Sequence, residues 1–154
     1  MADLLRTLEA EANAVLRFVN LLKLEQENLA NGNVDALAPI IQQKNSVGTE
    51  LAAFAKQRNA SLAAKGLGPD RAGIDAWCEQ HASDSRVVST WSRILSLASE
   101  ARELNRVNGE LIKVRMQHNS QALEALLGAS QSLDLYGPDG QAASRSNRRI
   151  NDAA

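Results

Sequence analysis

The chain has 154 residues, a net charge of −1 and only 3% aromatic residues, and its apolar content is mostly Leu and Ala. That length suits one domain. The interspersed acids and bases leave no clustered basic face for duplex nucleic acid, and the absence of alternating β-branched runs excludes a sheet. Strong helix formers dominate, so the expected fold class is all-α: an elongated antiparallel helical bundle of three long helices and a short connecting helix, followed by a disordered tail. The spacing predicts a first helix over about 3–30. Positions 5, 8, 12, 15, 19, 22, 26 and 29 read Leu, Leu, Ala, Val, Val, Leu, Gln, Leu, the a/d seam of a coiled coil over roughly four heptads. Leu4, Leu16 and Phe18 widen its apolar surface towards a second neighbour.

Asn31-Gly32-Asn33 closes that helix and turns the chain back. A second helix is expected over about 35–65, with Asp35 as N-cap and Pro39 in the first turn, where a missing N–H costs little. Its stripe is read as Leu37, Ile41, Val47, Leu51, Phe54, Ala55 and Leu62, and Gly66-Leu67-Gly68-Pro69 ends it. Residues 70–81 form a short helix or helical turn, with Ile74 and Trp77 at i, i+3. The last helix is expected from Ser83 or Asp84 to about Leu127, about 44 residues and thus roughly 65 Å long. Its two long neighbours, at roughly 42–47 Å, are too short to cover it, so apolar residues at one end are left for something else. From Gly128 the sequence turns polar. The expected organisation is therefore one helical domain, 1–127, and a flexible tail, 128–154, carrying a local apolar island around Leu133, Leu135 and Tyr136.

Reactive groups are sparse. Cys78 and His81 at i, i+3 fall short of the four ligands of a structural zinc site, and His118 is the only other histidine. No phosphate loop, G-x-S-x-G or H-E-x-x-H occurs. No metal, cofactor or catalytic residue is therefore expected, and the chain is read as no enzyme. The acid pairs Glu9/Glu11 and Glu25/Glu27, at i, i+2, read as solvated surface. Arg145, Arg148 and Arg149 read as a solvated end. No window approaches 18 apolar residues, so no integral membrane segment is expected. No secretory signal is visible, and a single Cys78 fits a cytoplasmic chain.

Asn105, Asn108 and Gly109 break the rules of a helix interior. They read either as a polar layer fixing bundle register or as a hydrogen-bonding patch for a partner, with Gly109 admitting a close backbone. The apolar run from Leu111 to Met116 and on to Leu127 reads as core or as the edge of a groove for an amphipathic helix. Tyr136, the only tyrosine, stands in a Gly/Pro turn that no core requires, and partner docking is the favoured reading.

With these residues in view, the chain resembles the FlgN family of flagellar export chaperones. The resemblance rests on the helical architecture with its turn near Gly32, on Asn105-x-x-Asn108-Gly109-x-Leu111-Ile112 with Asn119, Ala122 and Leu123, and on the tail Leu135-Tyr136-Gly137-x-x-Gly140-Gln141. It implies a non-catalytic cytoplasmic chaperone. Such a protein would hold hook–filament junction proteins of the FlgK and FlgL kind and bring them to the type III export gate protein FlhA. The resemblance places the client on Leu111, Ile112, Met116, Leu123, Leu126 and Leu127, and the gate on Leu135, Tyr136 and Gly137. The rival reading is a scaffold that self-associates, as a homo-oligomer, through its heptads.

Overall fold

A computed structural model describes the backbone of residues 2–136 and the side chains of residues 3–128. Four α-helices follow one another: α1, Ala2–Asn31; α2, Leu37–Ala63, entered through a single 3-10 turn, Val34–Ala36; α3, Asp70–Gln80; and α4, Ser85–Tyr136. The described residues contain no strand, so the all-α class holds. The chain divides into two compact units, the first ending at Leu111 and the second beginning at Ile112.

In the first unit, α1 buries its heptad seam. Leu8, Ala12, Val19 and Leu22 are fully buried, and Val15 and Leu29 nearly so. Leu5 and Gln26 stay half-buried at the edges. Two glycines then end helices in the same way. The N–H of Gly32 donates to Leu29 O (3.3 Å) and that of Asn33 to Asn28 O (2.9 Å), with Gly32 at φ 74°. The N–H of Gly66 donates to Ala63 O (2.9 Å) and that of Leu67 to Leu62 O (3.0 Å), with Gly66 also at φ 74°. This is the Schellman closure, which satisfies the last carbonyls and favours glycine because the left-handed conformation crowds a Cβ. Leu67 then packs against the cluster that holds Leu62.

α2 differs from the expected helix at its start and along its stripe. Asp35 lies in the 3-10 turn, and the N-cap position falls on Ala36, with no side-chain cap. Ile40, not Ile41, is buried; Ile41 is 46% exposed. The reason is that two basic residues occupy inward positions. Arg58 binds Glu11 and Lys44 binds Glu25 (3.0 and 3.2 Å), and both carboxylates are buried among the helices. The expectation that Glu11 and Glu25 are solvated surface is therefore wrong for these two. The two pairs stand two heptads apart on α1 and two heptads apart, in reverse, on α2, as an antiparallel pairing requires.

α3 and the start of α4 complete one end. Leu4, Leu8 and Ala12 of α1 meet Leu62 of α2, Ile74 and Trp77 of α3, and Val87, Trp91 and Ile94 of α4. Burying each large aliphatic side chain there stabilises by about 1.5–3 kcal/mol. α3 is tied to α2 by a reciprocal pair. Asn59 Oδ1 accepts the Asp70 N–H (2.8 Å) while Asn59 Nδ2 donates to Asp70 Oδ1 (3.1 Å), which holds Asp70 at φ 59°. Gly73 faces the preceding loop so closely that a Cβ would stand 1.8 Å from Gly68 O. Asp84 Oδ1 accepts the Arg86 N–H (3.2 Å), so Asp84 caps α4, whose start at Ser85 lies close to the expected one.

Further along, α4 runs parallel to α1. Lys23 pairs with Glu100 at 3.1 Å. Asn108, 1% exposed, donates from Nδ2 to Leu22 O (2.9 Å) and to Glu25 Oε1 (2.8 Å). Lys44, Glu25 and Asn108 thus form a buried polar layer joining three helices. Of the two asparagines, Asn108 fulfils the register reading; Asn105 is exposed. Gly109 has nothing within 4 Å of the place a Cβ would take, so no close backbone explains it.

In the second unit the helix continues through Gly128 to Tyr136, past the expected end near Leu127. One internal glycine costs a helix only about 1 kcal/mol, and the stronger breaker, Gly137-Pro138, comes later. Leu135 and Tyr136 therefore belong to α4 rather than to a turn beyond it.

Candidate functional site

Among the described residues, no three His, Cys, Asp or Glu side chains gather in a way that could hold a metal ion. His81 stacks on Trp77 with ring centroids 4.1 Å apart, and its Nδ1 lies 3.0 Å from Trp77 O. Burial and the neighbouring charges of Asp75 and Asp84 push the Cys78 thiol pKa up. This is an inert thiol environment, since reactivity needs the thiolate. No described helix is long and apolar enough to cross a membrane.

What stands out is exposed apolar surface on α4. Ile112 is 41% exposed, Met116 65%, Leu123 56%, Leu126 68% and Leu127 53%. At 3.6 residues per turn, these five and Asn119 fall within about 100° of one another. They form one stripe with heptad spacing. Val114, 47% exposed, lies off it. The segment is helical, and its apolar face has no described cover, although packing of such a face is what usually stabilises a helix.

The phase of the heptad changes near the unit boundary. In the first unit the inward residues of α4 are Ile94, Leu97, Ala101, Leu104, Asn108 and Leu111, alternating steps of three and four. Continued at the same phase, the next positions are Arg115, His118, Ala122 and Ala125, which make a poor seam. The apolar residues after 111 instead occupy the phase one residue later, beginning at Ile112. Of the six residues expected to contact a client, the structure thus groups five on one exposed face and leaves Leu111, half-buried, with the first unit. Asn119, named above only through the family resemblance, joins the stripe at i, i+4 to Leu123. Leu135 and Tyr136 have a described helical backbone only, and Gly137 lies outside the described residues.

Two ion pairs flank the bundle at its surface. Arg17 holds Glu50 through contacts of 2.6 and 3.2 Å, and Arg106 holds Glu103 through 2.7 and 3.2 Å. Hydrogen bonding to the guanidinium lowers the pKa of each carboxylate below its ordinary range. Between α1 and α2, Leu21, Leu24 and Val47 line a shallow groove of about 380 Å³ closed on one side by the Arg17–Glu50 pair.

The described residues define a class, an all-α helical protein, with an exposed apolar stripe on its last helix. Comparison with known sequences narrows it. The profile of the FlgN protein family matches residues 1–144, and the chain belongs to that family. It is 30% identical to the flagella synthesis protein FlgN of Proteus mirabilis over 144 residues, covering 92% of this chain and 91% of that one. It is 32% identical to the protein of the same name from Yersinia enterocolitica over 130 residues, 82% of this chain and 81% of that one. The Salmonella typhimurium protein of that name is 27% identical over 122 residues, 77% and 86% of the two chains. No solved structure matches the chain.

Proposed function

We propose that this chain is a cytoplasmic chaperone of type III flagellar export and not an enzyme. It holds hook-associated clients of the FlgK and FlgL kind, keeps them from assembling early, and delivers them to the gate protein FlhA. Family membership supports the flagellar setting. The observation that carries the chaperone reading is the exposed stripe from Ile112 to Leu127. A client's amphipathic segment would cover it, helix on helix.

The energetics suit a shuttle. Five side chains already about half covered gain on the order of 1 kcal/mol each when fully buried, and the client's face a similar amount, so about 10 kcal/mol in all. Association and ordering costs take several kcal/mol of that. The remainder corresponds to a modest affinity, which suits a complex that must release. Leu135, Tyr136 and Gly137 are assigned to the gate, which separates the two partners along the chain.

The self-associating scaffold is the weaker reading, because the α1 heptads that would drive it are buried inside the chain's own bundle. The test is calorimetric titration of the full-length protein with the C-terminal segment of a FlgK-like protein from the same organism. Saturable binding with a negative heat-capacity change is expected. Leu123→Asp should abolish it while leaving helicity unchanged. Tyr136→Ala should leave it intact and weaken binding to FlhA. No heat at tens of micromolar, with the protein folded, would overturn the chaperone assignment in favour of the scaffold.

A further inference from the structure

We infer that the helix docking on the α4 stripe carries acidic residues beside its own apolar seam, at the end that meets residues 112–116. This rests on the docking role proposed above and specifies its partner. Written as heptads, the stripe has Met116 and Leu123 at a, and Ile112, Asn119 and Leu126 at d. The flanking e positions are Lys113, Ser120 and Leu127, and the flanking g positions are Arg115 and Ala122. Only two flanks are charged. Both are basic, and both lie at the same end. The acids of this stretch, Glu110 and Glu124, fall at b positions, further round the helix from the seam.

Flanking charges choose partners in helix pairs, because they meet across the seam at its solvent edge. Lys113 and Arg115 also make interactions within this chain. Both side chains are cations at the seam's flank, and the two positions carry no acid. A partner with carboxylates at the facing positions gains two attractive contacts, and one with lysines meets repulsion. A second copy of this chain fits poorly. Antiparallel self-pairing would set e against e and g against g, basic on basic or uncharged. Parallel self-pairing would offer no acid at any e or g position between 112 and 127. Asn119 at d adds a preference for a polar residue opposite it, which fixes the axial register of the partner.

The full-length protein should be titrated by fluorescence anisotropy with two labelled three-heptad peptides. Both have the same Leu/Ile seam; one has Glu and the other Lys at the e and g positions of one terminal heptad. The Glu peptide should bind on the order of tenfold more tightly at low salt. The gap should narrow as salt shortens the Debye length from about 30 Å at 0.01 M to about 8 Å at 0.15 M. Lys113→Glu with Arg115→Glu should reverse the preference. If that variant loses helicity by circular dichroism, Lys113→Gln with Arg115→Gln should erase the preference instead. Equal binding of the two peptides, or preference for Lys, overturns the inference. If that equal binding is abolished by Leu123→Asp, the stripe docks helices without reading their charge. If neither peptide binds, the docking role falls, and the inference with it.

Discussion

Replacing Arg58 by Met strands Glu11. Each side chain is 8% exposed, and the guanidinium spans three partners: Glu11 through Nη1, Asp70 Oδ1 at 3.3 Å through Nη2, and the Trp91 ring at 5.4 Å. The Asp70 contact is worth little, since that carboxylate is 69% exposed. The Glu11 contact decides the outcome. Breaking a buried pair from one side costs about 3–5 kcal/mol, because the remaining charge has lost its compensation. For a domain of this size the melting temperature should fall by roughly 6–20 °C. The double variant Glu11→Leu with Arg58→Met should recover most of the loss, because apolar residues of similar volume replace a buried pair at little or no cost. Thermal and urea unfolding of the wild type, both single variants and the double variant complete the cycle. A single-variant loss under about 1 kcal/mol, the range of an exposed pair, or a double variant no better than the sum of the singles, would refute the claim that this pair is desolvated and coupled.

Three further outcomes follow from local geometry. Gly73→Ala should destabilise by roughly 1–3 kcal/mol, since its Cβ would meet the Gly68 carbonyl at 1.8 Å, whereas Gly109→Ala, with open space, should stabilise by up to about 1 kcal/mol; urea midpoints separate the two. Cys78 should alkylate more slowly than a free thiol at neutral pH, with its rate rising only above the ordinary thiol range, because its pKa is raised; timed mass spectrometry reads this directly. Glu50 and Glu103 have lowered folded pKa values, so their stabilising contributions are present above the ordinary carboxylate pKa and are lost as pH falls through the lowered ones. Arg17→Ala and Arg106→Ala should each flatten the acid limb of the stability curve slightly.

The helical class, the α1 seam and both glycine closures were legible because local signals agree there with the tertiary outcome. Every buried position of the α1 seam is apolar, so periodicity alone finds it. The α2 stripe was misread at Ile41 because Lys44 and Arg58 interrupt the apolar pattern at inward positions. A charge on a seam is visible in sequence only beside its partner, and those partners, Glu25 and Glu11, lie on another helix. Asn105 and Asn108 are equivalent by composition; Asn108 continues the inward phase of Ala101 and Leu104 and donates to Leu22 O and Glu25 Oε1, whereas Asn105 does neither. For the candidate site, the apolar character of residues 112–127 was legible, whereas its exposure could be inferred only from helix lengths. α4 runs past the expected end because the polar composition after Gly128 does not stop a helix: Ala, Ser, Gln and Leu continue one without difficulty.

The placement of the two tryptophans has an optical consequence. Trp77 and Trp91 both belong to the single cluster at one end of the first unit. One is stacked against His81 and the other lies under Arg58, so both indoles sit beside groups that influence their emission. Intrinsic fluorescence is therefore a gauge of that cluster and of the Arg58 network, and it divides naturally from circular dichroism, which samples every helix. Coincident transitions by the two methods would show that the tryptophan end melts with the rest of the helix content, and divergent ones would time the two events separately. Events on residues 112–127, which contain no tryptophan, require a reporter attached there.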